Sequence, residues 1–236
     1  MFTKLTNLFL TAHKHVTNFV GAIQQPKPVD LDSVKYLYPY GLPKYNNPNI
    51  IVIPRAGYVV GYDTNAKIPS WVCYTLTPEH SIGKLPRSNA FTPDFSLSEN
   101  QRATLEDYEK VDFDRGHNCP DDDQNWDKDL ERQSFILSNV TPQNKDLNRG
   151  RWKVLETYVR AWAHELNHTL NIITGPIYDS TCETIGKSKV VVPSGYYKIV
   201  IDTVTNQSLS FYFTNDNQAE DDPAKYQVTT YGSYIN

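Results

Sequence analysis

Cysteine is scarce: Cys73, Cys119 and Cys182 are the only three in 236 residues. A small odd number excludes a disulfide framework, and without a Cys-x-x-Cys pair neither a zinc ribbon nor a thioredoxin-like site has its ligands. Such low usage favours a reduced compartment, intracellular or organellar rather than secreted. Long apolar runs are also missing. Nothing approaches the ~20 residues that a membrane-spanning helix needs, which excludes a transmembrane segment. Excess positive charge is missing as well: the formal net charge is −4, opposite in sign to the basic surface expected of a phosphate-binding protein. Aromatic residues, by contrast, are plentiful, with 16 Tyr, 9 Phe and 4 Trp. They argue against general disorder and for one well-buried core.

The first residues carry Phe2, Leu5, Phe9, Ala12, Val16, Phe19 and Ile23 at steps of three and four. This predicts one apolar stripe on an N-terminal helix that docks on the body or a partner, or that serves targeting or lies at a membrane surface. A mitochondrial presequence would carry arginine, and this stretch has none. Gln24-Gln25-Pro26-Lys27-Pro28 reads as a linker, giving an N-terminal segment over 1–29. Short β-rich runs bounded by turns follow at 50–53, 58–62, 71–76, 135–137, 172–174, 190–192, 196–201 and 209–213. One long helix is predicted over 147–169, with Leu155, Tyr158, Val159, Trp162 and Leu166 on its apolar face. The pattern is sheet-rich α+β over 30–215, without regular βαβ repetition. An acidic polar tail is expected over 216–236.

The sharpest chemical cluster is Asp114-Arg115-Gly116-His117, after the strand-like 110–113. Neutral histidine can take a proton from water near pH 7, glycine lets the chain turn beside it, and a nearby carboxylate can orient the ring. A second cluster runs Ser138-Asn139-Val140-Thr141-Pro142-Gln143, then Leu147-Asn148, Trp152 and Leu155-Glu156. On a continuous helix, Asn148 and Glu156 would lie a little over two turns apart and overlook one space. An amide oxygen plus a carboxylate is a sparse oxygen-only set suited to Mg²⁺, which keeps several waters and takes other ligands from phosphate.

Together with Asp146-Leu147-Asn148-Arg149-Gly150-Arg151-Trp152, these motifs resemble the DNA/RNA non-specific endonucleases of the ββα-metal (His-Me finger) class, nearest the endonuclease G branch. Further agreement comes from Tyr40-Gly41-Leu42-Pro43, Ser70-Trp71-Val72, Thr174-Gly175-Pro176, Val192-Pro193 and Tyr196-Tyr197-Lys198. The resemblance implies an α+β fold with a central, mostly antiparallel sheet and one long active-site helix. It implies His117 as general base, Asn148 as the one direct protein ligand of Mg²⁺ (or Mn²⁺), and Glu156 as holder of metal-bound water. Arg87 in Pro86-Arg87-Ser88 matches an arginine on the scissile phosphate, and Arg160 a second phosphate-side arginine. Asn139 and Gln143 match residues bracing the site, while Asp114, Arg115 and Gly116 complete the signature in mainly structural roles. DNA and RNA would be cleaved with little sequence specificity to 5′-phosphate and 3′-hydroxyl ends, and a homodimer is implied.

Two other readings stand beside this one. His164-Glu165-Leu166-Asn167-His168 fits the His-Glu-x-x-His signature of zinc proteases. On the predicted helix both histidines lie opposite the apolar stripe, facing solvent, and a third ligand is missing. A decayed nuclease fold that only binds nucleic acid is the other alternative, opposed by the presence of His117, Asn148, Glu156 and Arg87 together. After His117 the chain runs Asn118-Cys119-Pro120-Asp121-Asp122-Asp123, a solvated acidic loop expected to weaken phosphate approach or alter metal preference. The segment 216–222 holds four acids and no base, whereas between Gln143 and Arg160 five cations oppose two carboxylates. The net charge of −4 therefore averages over opposite patches, and phosphate binding is expected near the second.

Overall fold

The computed structural model describes residues 29–217 and 222–228; the N-terminal stripe lies outside them. Its frame is a seven-stranded antiparallel sheet in the order β1-β2-β3-β6-β9-β10-β11. The strands are β1 (Ile50–Pro54), β2 (Val59–Asp63), β3 (Ile68–Leu76), β6 (Leu170–Ile177), β9 (Gly195–Asp202), β10 (Ser208–Thr214) and β11 (Gln227–Val228). Both faces are covered, which is why the strands read as near-continuous apolar runs rather than strict alternation. On one face Val60, Val72, Tyr74, Ile172, Tyr196, Val200 and Phe213 pack against a helix carrying Trp152, Leu155, Val159 and Ala163. On the other, Val59, Trp71 and Cys73 pack under Val34, Leu37 and Tyr38. The odd and even positions of β2 and β3 thus go to opposite layers.

Against this frame sits a separate two-stranded hairpin, β4 (Phe113–His117) and β5 (Val140–Asn144), in the register Asp114↔Gln143, Gly116↔Thr141 and His117↔Val140. The signature Asp114-Arg115-Gly116-His117 therefore lies within a strand, not after one. Between the hairpin strands runs α1 (Lys128–Ser134), capped by Asp127, whose side chain accepts from the N–H groups of Asp129 and Leu130. The run at 135–137 is no strand: it is the exit from α1 into a short 3-10 turn, with one isolated bridge from Ile136 to Thr92. A further short hairpin joins β7 (Thr184–Ile185) and β8 (Val190–Val191).

The expected helix over 147–169 is two helices, α2 (Lys145–Arg149) and α3 (Arg151–Leu166). Gly150 separates them at φ −103°, ψ −109°, and a Cβ there would stand 2.5 Å from the carbonyl oxygen of Asp146. Only glycine admits that close approach. The far end comes early as well: Asn167 adopts the left-handed conformation, φ 55°, and closes α3. Buried positions Trp152, Leu155, Val159 and Ala163 define a stripe rotated from the one expected, so Tyr158 is 61% exposed. Leu166, in the last turn, is exposed too. The segment after 215 is likewise not a free tail throughout. Tyr226 stacks on Phe213 with ring centroids 4.3 Å apart, and β11 adds an edge strand to the sheet. Among the described residues no helix is long and apolar enough to cross a membrane.

Candidate active site

The hairpin β4–β5 followed by α2 and α3 is a ββα unit, and the signature residues divide between its two sides. Strand alternation sends Asp114 and Gly116 one way and Arg115 and His117 the other. Asp114 is held by α2: Asn148 Nδ2 donates to its Oδ2 at 3.0 Å, and Arg149 donates from Nε and Nη2 to its two oxygens at 2.7 Å each. Against the cost of burial, these hydrogen bonds keep Asp114 below the usual carboxylate range. The amide nitrogen of Asn148 is thereby pinned, and its carbonyl oxygen is left for an outside ligand. Gly116 is overlaid by Gln143; a Cβ would meet Gln143 Oε1 at 2.2 Å. Gln143 thus braces by packing, since its buried amide makes no hydrogen bond among the described residues.

His117 occupies an aromatic corner. Its ring meets Phe135 edge-on at 4.8 Å and lies 5.3 Å from Phe91. Arg87 stands over the Phe135 ring at 4.8 Å and Arg115 over Phe91 at 4.1 Å. Burial first, then these two guanidinium groups, push the imidazole pKa down to about 3, so the ring is neutral over the physiological range. Nε2 is enclosed, without a partner among the described residues. Among the described residues Nδ1 makes no hydrogen bond either, but unlike Nε2 it is not enclosed, which leaves it as the nitrogen open to water.

Asn139 braces the loop behind His117. Its Oδ1 accepts from Cys119 N–H at 2.9 Å, and its Nδ2 donates to the carbonyls of Cys119 and Ser134 at 2.8 Å each. The acidic run 121–123 that follows is solvated only at Asp122, which is exposed. Asp121 and Asp123 are buried, Asp121 in an ion pair with Arg87 and Asp123 in one with Arg160 at 3.0 Å. Tyr74 Oη also donates to Asp123, at 2.8 Å. Burial held these acids out of water, and arginines distant in sequence offset the cost.

Glu156 is partly buried on α3, and desolvation raises its carboxyl pKa to about 7 against the pull of Lys198. Lys198 Nζ lies 4.0 Å from Glu156 Oε1 and 4.7 Å over the Trp152 ring, with no hydrogen-bond partner among the described residues. The sequence placed this lysine in the Tyr196-Tyr197-Lys198 motif but not in the site, yet the signal was present. It shares the inward parity of Tyr196 and Val200 on β9, where a lysine is out of place without a charge to meet. The structure thus groups His117 with Arg87, Arg160 with Glu156 and Lys198, and Asn148 with Asp114. The excess of cations between 143 and 160 is largely paired, because Arg149, Lys145 and Arg160 each face an aspartate.

The rival motif falls apart in three dimensions. His164 is exposed on α3, whereas His168 lies beyond the helix end, its Nδ1 2.6 Å from Asp202 Oδ2. Two ligands on one helical face are not formed, and among the described residues no group of three or more His, Cys, Asp or Glu side chains could hold a metal ion.

Comparison with known proteins agrees with the hairpin-and-helix geometry. The chain is similar to mitochondrial endonuclease G of Bos taurus, 34% identical over 175 residues that cover 69% of this chain and 58% of the bovine protein. It is similar to the mitochondrial nuclease of Saccharomyces cerevisiae, 29% identical over 180 residues covering 69% and 54%. The matched region thus spans a little over half the length of these relatives. Its fold matches a crystal structure of an EndoG/EndoGI complex with a TM-score of 0.74 at 26% identity, over 83% of this chain and 85% of that one. The sequence pattern of the DNA/RNA non-specific endonucleases matches residues 33–233, and the chain belongs to that family.

Proposed function

We propose that this chain is a metal-dependent endonuclease that hydrolyses phosphodiester bonds of DNA and RNA with little sequence specificity. The observation that carries the proposal is the state of His117: a neutral imidazole on β4 with one nitrogen enclosed, the other open, and Arg87 beside it over Phe135. In this reading His117 Nδ1 removes a proton from the attacking water, the proton remaining on the imidazole until it passes to solvent. Arg87 binds the scissile phosphate and the charge that develops on it, and Arg160 serves a neighbouring phosphate. The pinned amide of Asn148 suits a single hard cation, Mg²⁺ or Mn²⁺, with Glu156 holding a water of its shell; when bound, that ion supplies positive charge to the phosphate and the leaving oxygen. Asp114 orients Asn148 through the amide nitrogen, which would leave the oxygen free to hold such an ion. Every proposed contact is to water, metal or phosphate, and none reads a base edge, which accounts for low sequence preference.

The mitochondrial names of the relatives support an intracellular or organellar location, and the resemblance supports a homodimer. The test of substrate class is incubation of the protein with supercoiled plasmid, single-stranded RNA and casein, each with Mg²⁺ and with EDTA. Cleavage of both nucleic acids, abolished by EDTA, with casein intact, is the expected result. Proteolysis, or binding of nucleic acid without cleavage, overturns the proposal.

A further inference from the structure

Both arginines proposed to meet phosphate already hold an anion from the chain itself. Arg160 Nη1 lies 3.0 Å from Asp123 Oδ1 and its Nη2 3.5 Å from Asp122 Oδ2. Arg87 Nη1 pairs with Asp121 Oδ1, while its Nε donates to Asn89 Oδ1 at 2.8 Å. The two pairs differ in what else holds the acid. Asp123 also accepts from Tyr74 Oη and is tied to the core of the sheet. For the Asp121 carboxylate, Arg87 is the one side-chain partner among the described residues.

Mobility within the second pair is also one-sided. The carboxylate of Asp121 is 8% exposed and sits on a short turn anchored at both ends. Asn139 brackets Cys119 before it, and Gln124 Nε2 donates to the Gly57 carbonyl after it, at 3.3 Å. Arg87 is 44% exposed on a stretch without regular secondary structure. The acid is fixed and the guanidinium is the arm that can turn toward a ligand.

We propose that Asp121 is a resident competitor for the phosphate at Arg87, setting how tightly the protein grips a nucleic-acid backbone; this rests on the reading of Arg87 as a phosphate ligand. Without nucleic acid the carboxylate neutralises the guanidinium and parks it over Phe135. An arriving phosphodiester has to share or displace it, and a paired arginine releases fewer counterions from the backbone than a free one. Asp123 is fixed by Tyr74 as well as by Arg160, so Asp121 is the acid whose removal most directly frees a phosphate contact.

The test is binding of the full chain to a fluorescein-labelled DNA duplex, followed by anisotropy over a range of salt in EDTA, where no cleavage is expected. Asp121→Asn keeps the shape of the side chain and removes its charge. It should tighten binding at low salt and steepen the slope of log K against log salt by about 0.9, the increment for one more neutralised phosphate. Asp121→Glu, which retains the charge, should keep the wild-type slope. In an Arg87→Ala background, Asp121→Asn should leave the slope unchanged. Weaker binding by Arg87→Ala together with an unaltered slope in Asp121→Asn overturns this inference alone. Unaltered binding by Arg87→Ala overturns the phosphate role of Arg87 and the inference with it. A loss of affinity in folded Asp121→Asn, checked by its thermal transition, would make the acid a positioning residue and overturn its role as competitor.

Discussion

Replacing Asn139 by alanine tests whether the loop behind His117 is held as described. The side chain is fully buried and makes three hydrogen bonds, one accepted from Cys119 N–H and two donated to the carbonyls of Cys119 and Ser134. Alanine leaves one backbone donor and two acceptors without partners in a place water does not reach. Each stranded group costs about 1–3 kcal/mol, and because the three share one loop that can partly relax, the expected loss is about 3–6 kcal/mol. That is a large share of the ~5–15 kcal/mol that stabilises a typical domain. Urea unfolding followed by far-UV circular dichroism reads it as a lower midpoint at unchanged slope. Asn139→Asp makes a useful companion, since it keeps the acceptor for Cys119 N–H but turns lone pairs onto two carbonyls, and it should also destabilise. A loss below about 1 kcal/mol in Asn139→Ala would refute the bracket, because it would mean that the stranded groups find other partners. The same burial rules out Asn139-Val140-Thr141 as a glycan acceptor in the folded protein.

Gly116→Ala should cost about 1–3 kcal/mol by overpacking, since its methyl group would meet Gln143 Oε1 at 2.2 Å; a thermal transition equal to wild type contradicts this. The pH dependence of stability in EDTA follows from two opposed shifts. His117 is pushed down from 6.5 to about 3, so the unfolded chain holds the extra proton and stability falls as pH drops below 6.5. Glu156 is raised from 4.5 to about 7, so the folded chain holds the extra proton and stability rises as pH drops from 7 to 4.5. Between 4.5 and 6.5 the two nearly cancel, and His117→Leu should therefore gain stability relative to wild type as pH falls, by up to about 1.4 kcal/mol per unit. Parallel pH profiles for the two proteins would contradict the His117 shift. Mg²⁺ at about 100 times its Kd should stabilise the wild type by about 2.7 kcal/mol and leave Asn148→Ala unmoved; equal stabilisation of both proteins places the ion elsewhere. His164→Ala, altering an exposed side chain outside the proposed site, should leave nuclease activity unchanged in a plasmid assay, and a marked loss would reopen the rival motif.

The site was more legible in the sequence than its wiring. Asp114-Arg115-Gly116-His117 and Asn148 stand in local motifs, and the hairpin-and-helix unit gathers them as their order suggested. Strand β5 was hidden because Pro142 interrupts a β-rich run, and proline usually argues against a paired strand; here it lies opposite Arg115 in a two-stranded ladder, where both strands are edges. The break between α2 and α3 was signalled by Gly150, but a glycine inside a strong periodic pattern reads as tolerated rather than as a stop. Asp121 and Asp123 looked solvated because their partners, Arg87 and Arg160, are 34 and 37 residues away. Only the fold brings them together, and no local pattern could price that burial. Lys198 was open to the same oversight, its carboxylate partner lying on α3 and its own position on β9.

The central claim is that His117 acts as the base for phosphodiester hydrolysis. Its most direct test is the rate of supercoiled-plasmid nicking in Mg²⁺ by wild type and by His117→Ala, with the fold of each confirmed by circular dichroism. Loss of at least about a hundredfold in rate at unchanged fold is the predicted result; nicking by His117→Ala at the wild-type rate would contradict it.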